Sequence, residues 1–268
     1  MTSLGLIAKT PTGDFEIINS LLEKKENFAF SRFSDGEVLV LNRIEVSMAP
    51  SNNKIGHATF NAENPKDDVK HYIPEEHESF RSLLEDSLRY RANNYYKGIS
   101  CKCCLIPMWG KTAYESQFRI IGAGDEHNLT WSNLFINSNY KRYVDETLPL
   151  LKDRQVFMVV NEAADLSQLP FDVVKSFRVG ENCMINNMST VFELVQFIHT
   201  NKIEDAVFLC AASSLSNIII HQAYKNFPNN TYIDVGSSLN PFMPGIESRR
   251  EYHKILTNPN FAIEECIW

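Results

Sequence analysis

The rhythm of its apolar runs constrains this chain more than any other feature. Short, nearly continuous hydrophobic stretches at about 28–33, 100–107, 155–160, 173–179, 206–211 and 231–235 alternate with longer segments of helical periodicity. Strands that are apolar throughout need cover on both faces, and intervening helices supply it. The pattern therefore predicts an α/β fold with a Rossmann-like, mainly parallel sheet flanked by helices. Helices are expected at 14–25, where Phe15, Ile18, Leu21 and Leu22 recur at helical spacing, and at 75–96, carried by Phe80, Leu83, Leu84 and Leu88. Further helices are expected at 129–136, 141–151, 188–199 and 215–225. Neither repeats nor linker-like runs interrupt the 268 residues, so one domain over 1–268 is expected. Residues 48–70, rich in Asn, Pro, Ser and Lys without periodicity, read as a long surface excursion that serves as a lid.

In such sheets ligands bind beyond the carboxyl ends of the strands. Asp35/Glu37, Trp109, Glu162, Ser213/Ser214 and Asp234 all fall just after apolar runs, so one crevice can collect them. The most informative stretch is Phe28-Ala29-Phe30-Ser31-Arg32-Phe33-Ser34-Asp35-Gly36-Glu37. Two carboxylates around a turn-forming glycine, with Arg32 close by, suit a hard divalent cation and the phosphates it carries. The competing reading is a strand–turn–helix junction in which Asp35 caps the helix 36–43 and Glu37 favours its first turn. Trp109, placed beyond a strand, is a candidate for stacking on a base or sugar, or for ordinary packing. Ser213 and Ser214 precede a helix, where small hydroxyl residues let phosphate oxygens approach free amides; a plain serine cap is the alternative. The Gly122-Ala123-Gly124-Asp125-Glu126 segment lacks a full dinucleotide fingerprint.

Arg32-Phe33-Ser34-Asp35-Gly36-Glu37 resembles the Asp-x-Glu signature of the GT-D-type glycosyltransferases, with Ser34 where that family usually has Gly. Thr231-Tyr232-Ile233-Asp234-Val235-Gly236-Ser237 is similar to the family's late strand and turn, and Ser248-Arg249-Arg250-Glu251-Tyr252-His253 to its C-terminal Arg-rich segment. The resemblance implies a GT-D-type fold and transfer of a sugar, glucose or xylose being guesses, from a UDP-sugar donor to a glycan or glycosylated-protein acceptor. Mn²⁺ or Mg²⁺ would assist, and the anomeric centre would be inverted. On that reading Asp35 and Glu37 bind metal and diphosphate, and Arg32 and Arg249 meet phosphate charge. Ser213, Ser214 and Ser237 hydrogen-bond donor oxygens, and Trp109 joins the donor site. Inversion needs a base, for which Asp234, Glu247 and Asp125 are candidates in falling order, with donor binding an alternative role for Asp234. His253 is read either as a further metal ligand or as a surface histidine.

A net charge of −7 argues against a general nucleic-acid binder. No segment is long and apolar enough to span a membrane, and residues 1–14 lack the build of a signal peptide, so a cytoplasmic protein is expected. Cys101-Lys102-Cys103-Cys104 contains a Cys-x-x-Cys spacing, but no second Cys or His pair follows at finger-like distance. Thiols packed along a buried strand are expected there rather than zinc. A metal-dependent phosphohydrolase would want further Asp/His ligands at close spacing, and no such cluster is found. A nucleotide-binding module without catalysis would bind UDP and metal without turnover.

Overall fold

The computed structural model describes residues 11–49, 53–60, 69–124, 128–248, 250–258 and 260–261. The first amphipathic segment forms α1 (Pro11–Glu23) and leads into β1 (Ala29–Phe33), which α2 (Asp35–Leu41) follows after a single residue. Next comes a small antiparallel sheet of β2 (Val46–Met48), β3 (Asn53–Ile55), β4 (Ala58–Phe60) and β5 (Lys70–Tyr72), in the order β4-β3-β2-β5. Then α3 (Glu78–Arg89), β6 (Tyr95–Ile99), α4 (Lys102–Ile121) and β7 (Leu129–Trp131) complete the first half. A composite helix over 140–151, opening with α5 (Tyr140–Arg142) and continuing through π and 3-10 turns, leads to β8 (Val156–Asn161) and β9 (Lys175–Val179). The chain ends through α6 (Cys183–Asn186), α7 (Ser189–Asn201), β10 (Val207–Ala211), α8 (Leu215–Asn226), β11 (Thr231–Asp234) and a 3-10 turn at Glu251–Leu256.

Seven strands form one parallel sheet in the order β7-β6-β1-β11-β10-β8-β9. Burial on both faces explains the nearly continuous apolar runs of β8 and β10, whereas the edge strand β9 is polar and partly exposed. Along β8, Phe157 and Val159 enter the core on one side, while Val156, Met158 and Val160 enter the other. α3, α7 and α8 contribute Leu84, Leu194 and Ile219 to the first core, and α1 and the 140–151 helix contribute Phe15 and Tyr143 to the second. From β1 the chain proceeds outward to β6 and β7, then crosses to β8 and β9 before returning through β10 and β11. This reversal opens a crevice outside the carboxyl ends of β1, β11 and β10. Among the described residues no helix is long and apolar enough to cross a membrane.

Four expectations require correction. The second large-sheet strand is Tyr95–Ile99, not 100–107, and the preceding helix stops at Arg89 because Tyr90 turns extended (ψ 139°). Tyr95 and Tyr96 continue the apolar spacing of α3, and Gly98 reads as its stop. In fact Gly98 lies inside β6, where an added Cβ would come within 3.0 Å of Phe30, Trp131 and Ser132. Residues 102–121 are helical, broken at Gly110 (φ 81°) downstream of Pro107. Leu129–Trp131 is a strand that pairs with β6 instead of a helix. Finally, the described parts of 48–70 belong to the small sheet rather than to an irregular excursion.

Candidate functional site

At the end of β1, Ser34 takes an extended conformation (φ −83°, ψ −168°) and becomes the N-cap of α2. Its backbone N–H donates to Glu37 Oε2 at 2.8 Å, the return half of a capping box. The other oxygen of Glu37, Oε1, accepts from the buried hydroxyl of Ser214 at 2.6 Å. Glu37 is thus a buried tie between the start of α2 and the β10–α8 loop. The cap is Ser34, not Asp35 as the competing reading had it. Asp35 stands exposed at the first helical position and pairs with nothing among the described residues.

Asp234 ends β11 beside this turn and is buried. The backbone N–H groups of Gly236 (2.9 Å) and Arg32 donate to its carboxylate. Burial dominates nonetheless and, with the negative charge of Glu37 nearby, pushes its pKa up to about 7 against the opposing pull of Arg32. The guanidinium of Arg32 is held in turn by the carbonyl of Ser132, to which its Nε donates, and it lies against Gly236. Gly236 has φ +49°, and a Cβ there would fall 2.0 Å from Arg32 Nη1. The left-handed backbone favours glycine here, and an added methyl would displace the guanidinium.

In the loop after β10 Ser213 is left-handed (φ 48°) and Ser214 is the N-cap residue of α8. Asn217, one turn further, donates to the Arg32 carbonyl (2.6 Å) and to Ser31 Oγ (3.0 Å), joining α8 to β1. The far wall is the C-terminal segment. Ser237 Oγ bonds Tyr252 Oη at 2.8 Å, and His253 Nε2 donates to the Ser237 carbonyl at 3.1 Å. A carbonyl only accepts, so His253 carries its proton on Nε2, and its Nδ1 accepts from Ser248 Oγ at 2.8 Å. Burial lowers its pKa to about 4. His253 is therefore neither a surface histidine nor placed to ligate metal, since both ring nitrogens are engaged.

Arg32, Asp35, Glu37, Ser213, Ser214, Asp234, Ser237 and Glu247 all line one cleft. Trp109 does not: it sits inside α4 against the Val38–Leu105 cluster, because the strand expected before it is helix. Arg249 and Asp125 lie outside the described residues. Arg250, which belongs to the Arg-rich segment expected to clamp phosphate, also lines the cleft, as do Lys70 and Asn182, to which no role was assigned from sequence. Asn182 is left-handed (φ 48°); its side chain accepts the His71 N–H (2.9 Å) and donates to the His71 carbonyl (3.1 Å), clamping β5. No sequence pattern marks Asn182, because its partner lies 111 residues away. Asp35 and Glu37 supply hard oxygen donors of the type that divalent cations take. Asp35 is exposed and lines the cleft, and each Glu37 oxygen accepts one hydrogen bond and retains further acceptor capacity.

No family model and no curated protein matches the chain. Two solved structures do, each at 12% identity and a TM-score of 0.51, covering 98% of this chain and 90% of theirs. One is described as "Selenomethionine substituted structure of domain of unknown function 1792 (DUF1792)". The other is described as "The highly conserved domain of unknown function 1792 has a distinct glycosyltransferase fold". The chain therefore shares a Rossmann-like fold with two structures, one of which is described as having a glycosyltransferase fold.

Proposed function

We propose that this protein is a glycosyltransferase that moves a sugar from a UDP-sugar to a glycan hydroxyl, with inversion and with help from Mn²⁺ or Mg²⁺. Fold alone does not carry activity. The observation that carries the reading is Asp234, a buried carboxyl whose pKa lies near 7, set in the same cleft as Arg32 and the exposed Asp35. A general base works best when its pKa is close to the operating pH. As the acceptor oxygen bonds to the anomeric carbon, its proton passes to Asp234. The carbon–oxygen bond to UDP breaks, and UDP departs with that electron pair. Arg32 and Arg250 meet the negative charge on the diphosphate, while Ser213, Ser214 and Ser237 orient the donor. Asp35, supported by Glu37, would hold the divalent cation, which when bound neutralises pyrophosphate charge.

The test is release of UDP from a panel of UDP-sugars with Mn²⁺ and glycan acceptors, together with detection of the glycosylated product. Asp234→Asn should lower kcat roughly 10²–10⁴-fold with little change in donor affinity. Should Asp234→Asn keep full turnover while Glu247→Gln loses it, the base is Glu247. If no UDP-sugar yields product, and UDP with Mn²⁺ fails to raise the melting temperature, the glycosyltransferase reading falls.

A further inference from the structure

We propose that Cys101, Cys103 and Cys104 form a binding site for one thiophilic cation with a filled d shell, Zn²⁺ or Cu⁺, at the start of α4. Their three sulfur atoms lie within 4.8 Å of one another, and Cys101 Sγ is 3.2 Å from Cys103 Sγ. The secondary structure decides what this sequence can do. In a strand, Cys103 and Cys104 would point to opposite faces, and no common ligand could reach both with Cys101. Here Cys101 is the extended N-cap residue (φ −75°, ψ 159°), and Cys103 and Cys104 lie in the first turn of a 20-residue helix, so the winding gathers the sulfurs.

The distances favour a metal over a disulfide. A Zn–S bond of about 2.3 Å in tetrahedral geometry sets sulfurs about 3.8 Å apart, whereas a disulfide needs about 2.05 Å. The 3.2 Å pair must open by a few tenths of an ångström for the former and close by more than one for the latter. Three thiolates around one cation leave net negative charge. The N-terminal end of α4 and the exposed Lys102 ammonium offset it. Cys101 is buried and Cys104 exposed, so the site has a fixed inner ligand and an entry from solvent. Three protein ligands leave a fourth position open to water or to a small ligand. The site belongs to the same edge of the sheet as the candidate cleft but does not depend on it. Ser100, immediately before Cys101, donates through Oγ to the carbonyl of Phe33 at 3.0 Å.

The experiment is to purify the full chain under reducing conditions, measure its metal content, and titrate Zn²⁺ against a chromophoric chelator, with Cu⁺ in a parallel anaerobic arm. Binding of one equivalent with sub-micromolar affinity is expected. Co²⁺ substitution should give thiolate-to-metal charge-transfer absorption. Cys104→Ser, at an exposed position, should weaken binding at least 100-fold while circular dichroism stays unchanged, and Cys183→Ser should bind like the parent. Absence of stoichiometric binding by both cations overturns the proposal. So does binding that Cys104→Ser leaves intact, or loss of two thiols to a Cys101–Cys103 disulfide with no metal retained.

Discussion

Asp35 and Glu37 are two residues apart in one turn, yet their surroundings give them different tasks. Glu37 satisfies the Ser34 N–H and the Ser214 hydroxyl, so Glu37→Ala strands two donors and should cost about 2–4 kcal/mol of stability in chemical denaturation. Asp35 is exposed and contributes only a charge at a helix N-terminus, so Asp35→Ala should cost under about 1 kcal/mol. Its effect should fall on Mn²⁺-dependent UDP binding instead. Equal stability losses in the two variants would refute this division. Gly236→Ala is the sharper probe of Arg32. The new methyl would occupy guanidinium space, and the left-handed backbone penalises alanine, so UDP affinity should drop at least tenfold in calorimetry. Unchanged affinity would show that Arg32 does not meet the nucleotide. At this scale the sequence was legible where turn chemistry is local: Asp-Gly-Glu after an apolar run lies in a turn that lines a cleft. What it could not show was which carboxylate the fold consumes, since Ser214 is 177 residues away from Glu37.

Between elements, the small sheet is tied to the large one through Asn182, whose side chain brackets both backbone groups of His71. Val46, Val69 and Lys70 bring this sheet to the cleft, so the clamp controls one wall of it. Asn182→Gly keeps the left-handed backbone and removes only the side chain. Two lost hydrogen bonds should cost about 1–2 kcal/mol, and the His71 amide should exchange faster while β8 and β10 stay protected. If His71 exchange is unchanged, the clamp is not what holds β5. The same region shows why some elements escaped the sequence reading. β2 to β5 are three residues each, too short for a period of two to register. β6 carries a lysine and a glycine yet is wholly buried, since Gly98 admits Phe30 and the Trp131 carbonyl, and Lys97 is enclosed. By contrast, β8 and β10 were recognisable because burial on both faces demands a nearly continuous apolar run.

For the whole molecule, the charged groups enclosed in the fold set a pH profile that can be worked out in sign. His221, buried against Tyr90, and His253 are both lowered by burial to about 4. Each is neutral in the folded chain where the unfolded chain would protonate it. Their contribution is therefore complete above about pH 6.5 and is lost as pH falls toward 4. Asp234 acts in the opposite sense. Its raised pKa means that the folded state holds a proton the unfolded state has released, so stability is present below about pH 4 and is lost as pH rises toward 7. Two histidines outweigh one aspartate between these limits, so stability should climb from pH 4.5 and level off near 7. Glu78 and Asp165, whose pKa values are lowered by Arg81 and by hydrogen bonds from Ser167 respectively, act in the same sense as the histidines and only at the acid end of this window. Asp234→Asn removes the opposing term. In metal-free urea denaturation the variant should exceed the parent progressively from about pH 4 to pH 8, by up to about 4 kcal/mol for a three-unit shift. On the proposed glycosyl transfer the same carboxyl should place the rising limb of kcat near pH 7, moved down by a bound cation and up by the donor's diphosphate. A constant stability gap between variant and parent across this range would mean that Asp234 ionises as freely in the fold as in water, and would remove it as the poised base.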